Sequence, residues 1–192
     1  VVGNPNPDFL LGIRNTFTYK GFRLEAFLDI KEGGDMWNGT RGAMYSYGTH
    51  ADTETRGVET KTFEGVRGTR NASNEIVAEG GASNIEVTLD ENWWRTGNGS
   101  GFVGPSEQFI EDASWVRLRE LTVAYSLPRN LLNKTPFKRV EVGVTGRNLW
   151  LSTPYTGIDP ETNLAGSGNL QGLDYFQMPN TRSVNFNVNL GF

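Results

Sequence analysis

The last stretch of the chain, Arg182 to Phe192, alternates without a break. Val184, Phe186, Val188, Leu190 and Phe192 are apolar, and Ser183, Asn185, Asn187, Asn189 and Gly191 between them are small or polar. A period of two sends successive side chains to opposite faces, so this is a strand with two unlike faces. The signature recurs near the start. Leu11, Ile13, Phe17 and Tyr19 share one face, opposite Gly12, Arg14, Thr16 and Thr18. After Lys20-Gly21, a two-residue turn in which glycine supplies positive φ, Phe22, Leu24, Ala26, Leu28 and Ile30 alternate with Arg23, Glu25, Phe27 and Asp29. That turn predicts a register: Tyr19 opposite Phe22, Phe17 opposite Leu24, Ile13 opposite Leu28, Leu11 opposite Ile30, Thr18 opposite Arg23 and Thr16 opposite Glu25. Cross-strand partners share a face, and in this register the apolar faces coincide with Asn15, opposite Ala26, as the one blemish. Further on, Leu121, Val123, Tyr125 and Leu127 alternate with Glu120, Thr122, Ala124 and Ser126 in a run from Trp115 that Pro128 ends. Val140, Val142 and Val144 then alternate with Arg139, Glu141, Gly143 and Thr145 towards Trp150. About five antiparallel strands are expected, in an all-β fold.

Two architectures give such strands. In a soluble sandwich the apolar faces cover a second sheet. In a transmembrane β-barrel they face lipid and the polar faces line the lumen. The connections bear on the choice, because they run short, long, short, long: Lys20-Gly21, residues 32–109, the turn around 128–137, and residues 152–181. A connection the length of 32–109 is far beyond the usual ~4–6 residues and is either functional or disordered. Trp37, Trp93 and Trp94 argue against plain disorder, since disordered segments are poor in aromatics, and Ile85, Val87 and Leu89 suggest a short strand within it. Short turns at one end and long loops at the other are the organisation of an outer-membrane barrel. With Phe192 at the periplasmic end, 32–109 and 152–181 are extracellular and both short connections are periplasmic. The aromatics fit two girdles, Tyr19, Phe22, Tyr125 and Phe192 at one interface and Trp115 and Trp150 at the other.

Composition narrows the chemistry. The 192 residues include 24 glycines, no cysteine and one histidine, with a net charge of −4. No run approaches the roughly 18 apolar residues of a membrane helix. An acidic chain is not expected to bind nucleic acid, and without cysteine there is no disulfide, thiol catalysis or cysteine metal site. His50 sits in a polar stretch and reads as a surface residue. The opening Val1-Val2-Gly3 has no methionine or signal peptide, so an exported protein would carry its targeting information upstream of residue 1.

No enzyme, cofactor or metal site is expected. Gly97-Asn98-Gly99-Ser100-Gly101 lacks the lysine and spacing of a phosphate-binding loop, no Gly-x-Ser-x-Gly elbow occurs, and one histidine leaves little for a triad. Glu111-Asp112 and Asp159 with Glu161 read as solvated charges, with an oxygen-lined cation site as the alternative for the Asp159 loop. Trp37, Trp93 and Trp94 are candidates for stacking on a sugar ring or packing on a partner, against the alternative of a folded loop with its own small cluster. Arg14, Arg23, Glu25, Asp29, Arg139 and Glu141 share the polar face and would line a solute path or meet a plug. Arg117 and Arg119 fall on the apolar parity. Either they meet lipopolysaccharide phosphates at the rim or a β-bulge turns them away.

The motifs also carry a resemblance. Gly3-Asn4-Pro5-Asn6-Pro7-Asp8-Phe9, Asn15 to Phe22, Gly33-Gly34-Asp35-Met36-Trp37-Asn38, Glu111 to Arg119 with Leu121 to Pro128, Gly146-Arg147-Asn148-Leu149-Trp150, Thr156-Gly157-Ile158-Asp159-Pro160-Glu161 and the closing Phe192 together resemble the barrel of SusC-like (RagA-like) TonB-dependent outer-membrane transporters of Bacteroidetes. The order and spacing of the set are specific where each motif is weak. The resemblance implies the carboxyl-terminal part of a 22-stranded, plugged barrel, with the plug and the TonB-contacting segment outside this chain. It implies import of glycan fragments or peptides and a SusD-like surface lipoprotein over the extracellular mouth. It further implies energy from the TonB complex, and contact with outer-membrane lipid and lipopolysaccharide. Phe186, Leu190 and Phe192 would form the signal read by the barrel-assembly machinery. The competing expectation is a soluble all-β carbohydrate-binding module that uses the same tryptophans. What covers the apolar strand faces distinguishes the two.

Overall fold

The computed structural model of the chain describes residues 2–81, 83–166 and 171–192. The chain divides into two compact units, Val1–Asn38 with Ile110–Phe192, and Gly39–Phe109.

The first unit is built on one antiparallel sheet of five strands, each pairing with the next in chain order: β1 (Phe9–Tyr19), β2 (Phe22–Glu32), β3 (Trp115–Ser126), β4 (Arg139–Ser152) and β5 (Ser183–Gly191). The first hairpin has the predicted register throughout, from Tyr19↔Phe22 to Leu11↔Ile30, including Asn15↔Ala26. Its turn takes φ of 47° at Lys20 and 87° at Gly21, the pair of positive values that a type I′ turn requires and that suits the twist of the flanking strands. The apolar face of the sheet stays open. Phe17 is 64 % exposed, Phe186 82 % and Val188 63 %, and among the described residues no second sheet covers them. Among the described residues this unit has one small cluster of buried hydrophobic residues, Met36, Ala113 and Tyr155. A soluble sandwich would bury the face that is bare here.

One irregularity re-sorts the faces. Leu28 pairs with Leu118 but Phe27 pairs with Glu120, and on the other side Trp150 pairs with Leu118 but Arg147 with Glu120. Arg119 is the extra residue of a β-bulge, and an extra residue reverses every parity beyond it. Leu118 and Val116 therefore join the apolar face, opposite Leu28 and Ile30, while Arg117 and Trp115 turn to the polar face, opposite Asp29 and Lys31. This corrects the assignment of Trp115 to an outer girdle: it is 9 % exposed, under the Lys31 ammonium, which lies 4.9 Å from its ring centroid. Trp150, half exposed, remains on the apolar face.

The two kinds of connection differ as expected in size but not in order. Between β3 and β4 the expected turn contains a short helix, Arg129–Leu132, started by Pro128. The long connection is not one loop. Asp35–Asn38, Ile110–Asp112 and Leu173–Asp174 form a small three-stranded sheet, with Asp35–Asn38 in the middle. The chain leaves this sheet after Asn38 and returns to it at Ile110, where Trp37 pairs with Ile110.

The second unit fills the interval with its own structure. It holds a helix (Gly39–Tyr47), a short helix (Glu91–Arg95), a ladder of Thr60–Gly65 against Ser83–Thr88 and a smaller one of Gly68–Arg70 against Ile76–Ala78. Asp90 caps the second helix, accepting from the Trp93 N–H at 2.8 Å, the usual role of an aspartate in that position. The first helix buries Gly39, Gly42, Ala43 and Ser46, a stripe at helical spacing made of small residues. Small residues let a backbone approach. A Cβ at Gly101 would stand 2.2 Å from the Gly42 carbonyl carbon, which no real side chain can do.

Candidate functional site

The polar face of the five-stranded sheet is a continuous lattice of charge pairs. The Glu141 carboxylate, 6 % exposed, accepts from Arg23 at 3.0 Å and Arg139 at 2.9 Å, and also from the Ser126 hydroxyl at 3.0 Å and Asn189 at 3.4 Å. Arg23 also donates to Glu25 at 3.1 Å, and Arg14 donates to the same carboxylate. Glu120 lies 3.6 Å from Arg14 and 3.3 Å from Arg147. Thr122 and Thr145 share a hydrogen bond of 2.9 Å, and Asn187 donates to Thr145 at 3.0 Å. The alternation seen in the sequence places these residues on one face. The ladder register then brings opposite charges into reach of each other across neighbouring strands. Of the candidate solute-path residues, Arg14, Arg23, Glu25, Arg139 and Glu141 are thus brought together in one network.

Asp29, the sixth, belongs to a second cluster at the end of the sheet where the long connections lie. Arg117 and Asp159, with side chains 3 % and 4 % exposed, are paired at 2.6 Å. Arg119 donates to Glu161 at 2.8 Å and to Asp29. The Asn180 N–H reaches Asp159 at 3.1 Å, as does the Glu161 N–H. Two arginines displaced by one bulge therefore hold the start of the 153–182 connection onto β2 and β3, and Asn180 ties its far end to Asp159. This decides between the alternatives for Arg117 and Arg119: the bulge turns them to the polar face, where they pair with Asp159, Asp29 and Glu161. The Asp159 carboxylate is buried and committed to a guanidinium and to main-chain donors, which corrects its reading as a solvated charge. Among the described residues no cluster of His, Cys, Asp and Glu is positioned to hold a metal ion.

Beside this cluster, several of the short motifs converge on the three-stranded sheet. The Asn4 N–H donates to Asp35 Oδ2 at 2.7 Å, and the Asp35 N–H to the Asn4 carbonyl at 2.7 Å. Glu111 accepts from Asn38 at 3.0 Å and from the Thr156 N–H at 2.7 Å. The buried Tyr155 hydroxyl donates to Asp174 at 2.6 Å. Tyr155, Asp174 and Asn180 carry contacts of these two clusters that sequence reasoning missed. They lie in stretches without periodicity, and only their chain neighbours Thr156 to Glu161 carried a motif.

Of the three tryptophans, Trp37 belongs to the first unit and Trp93 and Trp94 to the second. Trp37 lies in the rim sheet, part-exposed, its ring stacked on Tyr175 with centroids 6.4 Å apart. In the inserted unit Trp93, also part-exposed, stacks on Phe63 at 5.2 Å. Trp94 is 8 % exposed and meets Tyr45 edge-on at 4.9 Å. At the closing strand Phe186, Leu190 and Phe192 project from the open apolar face, with the Phe192 ring 5.2 Å from that of Phe137.

No family model matches the chain. Curated relatives do. A protein named TonB-dependent receptor P3 from Formosa agariphila is 28% identical over 204 residues, covering 100% of this chain and 17% of that protein. TonB-dependent receptor P26 of the same organism is 29% identical over 203 residues, covering 100% of this chain and 18% of that protein. The chain thus spans under a fifth of the length of the curated relatives it matches. Among solved structures, the RagAB peptide importer in its open-open state superposes with a TM-score of 0.58 at 21% identity, over 97% of this chain and 17% of that one. Its closed-closed state gives 0.56 at 20% identity, over 97% and 17%. The resemblance read from the sequence motifs, to TonB-dependent transporters of the RagA-like kind, is borne out by these relatives. The antiparallel fold of the first unit is the fold of that part of the importer.

Proposed function

We propose that this chain is the carboxyl-terminal wall and rim of a TonB-dependent importer in the outer membrane. The observation that carries this is the contrast between the two faces of one sheet. The apolar face is bare over five strands, and the other is cross-linked by paired charges. Lipid accepts the first, and a water-filled or plugged lumen accepts the second. Two short connections and two long ones support an orientation with Phe192 towards the periplasm. The open edges of β1 and β5 require further strands, because lipid does not tolerate unpaired main-chain groups. A 22-stranded barrel supplies them. The relatives are receptors and an importer by name, which supports a role in transport.

In this reading the cargo is a glycan fragment or a peptide, and the RagAB relatives, peptide importers by name, support the second. A SusD-like surface lipoprotein covers the mouth, the TonB complex acts through the part of the protein outside this chain, and the barrel-assembly machinery reads Phe186, Leu190 and Phe192. Trp37 and Trp93, part-exposed, contact cargo or partner, and Trp94 stiffens the base on which Trp93 stands. The polar lattice is the surface a plug meets. A soluble carbohydrate-binding module is disfavoured by the uncovered apolar face.

The test is the intact mass of the native protein after detergent extraction of an outer-membrane fraction. The expected mass is several times 21.3 kDa, with a plug in the same polypeptide. Recovery of a molecule near 21.3 kDa in the aqueous fraction would sink the proposal.

A further inference from the structure

The inserted unit has a cavity of its own, of about 250 Å³, with Tyr47, Gly48, Arg56, Glu91, Trp94 and Arg95 among its walls. Arg56 is the unusual member. Its Nη1 donates to the Gly48 carbonyl at 3.3 Å and to the Thr53 carbonyl at 3.2 Å. Gly48 has a φ of +66°, and a Cβ there would lie 3.4 Å from Nη1 and 3.9 Å from Nε. The guanidinium therefore rests against bare backbone at a position that favours glycine. A guanidinium carries five N–H donors in a rigid fork. With Nη1 tied to carbonyls, the Nε and Nη2 donors of Arg56 have no acceptor among the described residues. The other cation of the cavity differs: Arg95 is paired with Glu91 at 2.6 Å, one helical turn away. Beside them Tyr47 is 70 % exposed, held edge-on to Phe102 with ring centroids 5.9 Å apart.

We propose that this cavity binds a carboxylate carried on a ring-sized body. The carboxylate sits on the Nε–Nη2 edge of Arg56 and the body packs on Tyr47. The side-on geometry of a guanidinium matches a carboxylate with two parallel hydrogen bonds. Fixing the arginine by its own backbone contacts removes the ordering cost that a free arginine would meet on binding. An aromatic ring supplies apolar area at little conformational cost. A uronic sugar and the free chain end of a peptide both present this chemistry. The site lies wholly within residues 39–109, and it stands whether or not the wall proves to be a barrel.

The test is isothermal titration of the intact receptor, purified in detergent, with four probes: trigalacturonate, its neutral counterpart galactotriose, the peptide Gly-Gly-Phe, and the same peptide amidated at its carboxyl terminus. At least one carboxylate probe binds at least tenfold more tightly than its neutral partner, and which one identifies the source. Tyr47→Ala and Arg56→Lys each weaken that probe at least fivefold. Arg56→Lys keeps the charge and removes the fork; Tyr47→Ala removes an exposed ring and leaves the fold intact, so it guards against a folding artefact. Absence of binding by both carboxylate probes overturns the proposal, as does equal binding of a neutral partner or wild-type affinity in either variant. Binding by a protein recovered from the aqueous fraction would keep the cavity and discard the barrel.

Discussion

The wall and the inserted unit solve opposite problems with the same chain. The wall is a single layer. Its strands satisfy each other's main chain, its outer face keeps Phe17, Phe186 and Val188 bare, and its inner face is stitched by Glu141, Glu25 and Glu120 to arginines. In the proposed reading it is stable only between two different media. The inserted unit carries its own interior, with Ala43, Trp94 and Phe109 buried and Tyr45 in ring contact with both Trp94 and Phe109. The difference teaches where a mutation will be felt. In that reading a change in the wall registers against lipid or against a neighbouring charge. A change in the insertion registers as packing, in any solvent.

The sharpest way to break this comparison is at the rim. Arg117→Ala leaves Asp159, 4 % exposed, as a buried charge without its partner. Removing one member of a buried pair costs about 3–5 kcal/mol. The expected outcome is release of the 153–182 connection, read as new protease cleavage between Ser152 and Arg182 on intact cells, with the barrel still folded. Unchanged protection would mean that the Asp29–Arg119–Glu161 set holds the connection alone. The next effect is on the outer face. Val144, opposite Val123 and Phe186 at mid-strand, faces lipid in this reading. Val144→Arg should cost about 2–4 kcal/mol of folding stability in liposomes, measured by urea titration of gel mobility. Its polar-face neighbour Asn187→Asp should shift the same titration far less. Equal losses at the two positions would remove the distinction between the faces.

The two regions were also unequally legible. In the wall the alternation of Phe22 to Ile30 gave faces, and the Lys20-Gly21 turn gave register to the residue, because a period of two and a two-residue turn leave one consistent pairing. The bulge at Arg119 was foreseen only as an alternative. It occupies a run, Val116 to Leu121, in which arginines and leucines alternate equally well on either parity, and the pairing with both flanking strands shows which applies. In the insertion the hydrophobic pattern was silent for a physical reason. The helix Gly39–Tyr47 buries glycine, alanine and serine, so its stripe has helical spacing but no hydrophobic contrast. The strand suggested by Ile85, Val87 and Leu89 exists as Ser83–Thr88 and stops one residue short of Leu89, which is buried. Its partner Thr60–Gly65 has one large apolar residue, Phe63, and gave no signal. Of the candidate site residues, those whose chemistry depends on a face were placed by alternation. The tryptophans were not, because nothing local says which partner a ring will find.

That silent stripe supplies the third test. Gly101→Ala puts a methyl group into the Gly42 backbone, and forced overpacking of this kind costs about 1–3 kcal/mol. The loss should appear in the melting of the insertion, followed by protease cleavage within 39–109, and should leave the urea titration of the wall unchanged. A parallel loss in the wall would show that the two units fold as one.

The smallest expected effect is the most informative about the division itself. Trp37 and Ile110 are paired neighbours in the rim sheet, so the chain enters and leaves the insertion at adjacent points. A short Gly-Ser bridge from Asn38 to Ile110 therefore spans the gap without moving either strand, and loop closure over a few residues is entropically cheap. Excision of 39–109 in the intact protein should leave the wall's urea midpoint within about 0.5 kcal/mol of the parent, the additivity expected of independent regions. Binding of a carboxylate probe at Arg56 should disappear with the excised residues. A larger loss of wall stability would mean that the insertion braces the rim, and the open face of the sheet would then no longer account for where the wall draws its stability.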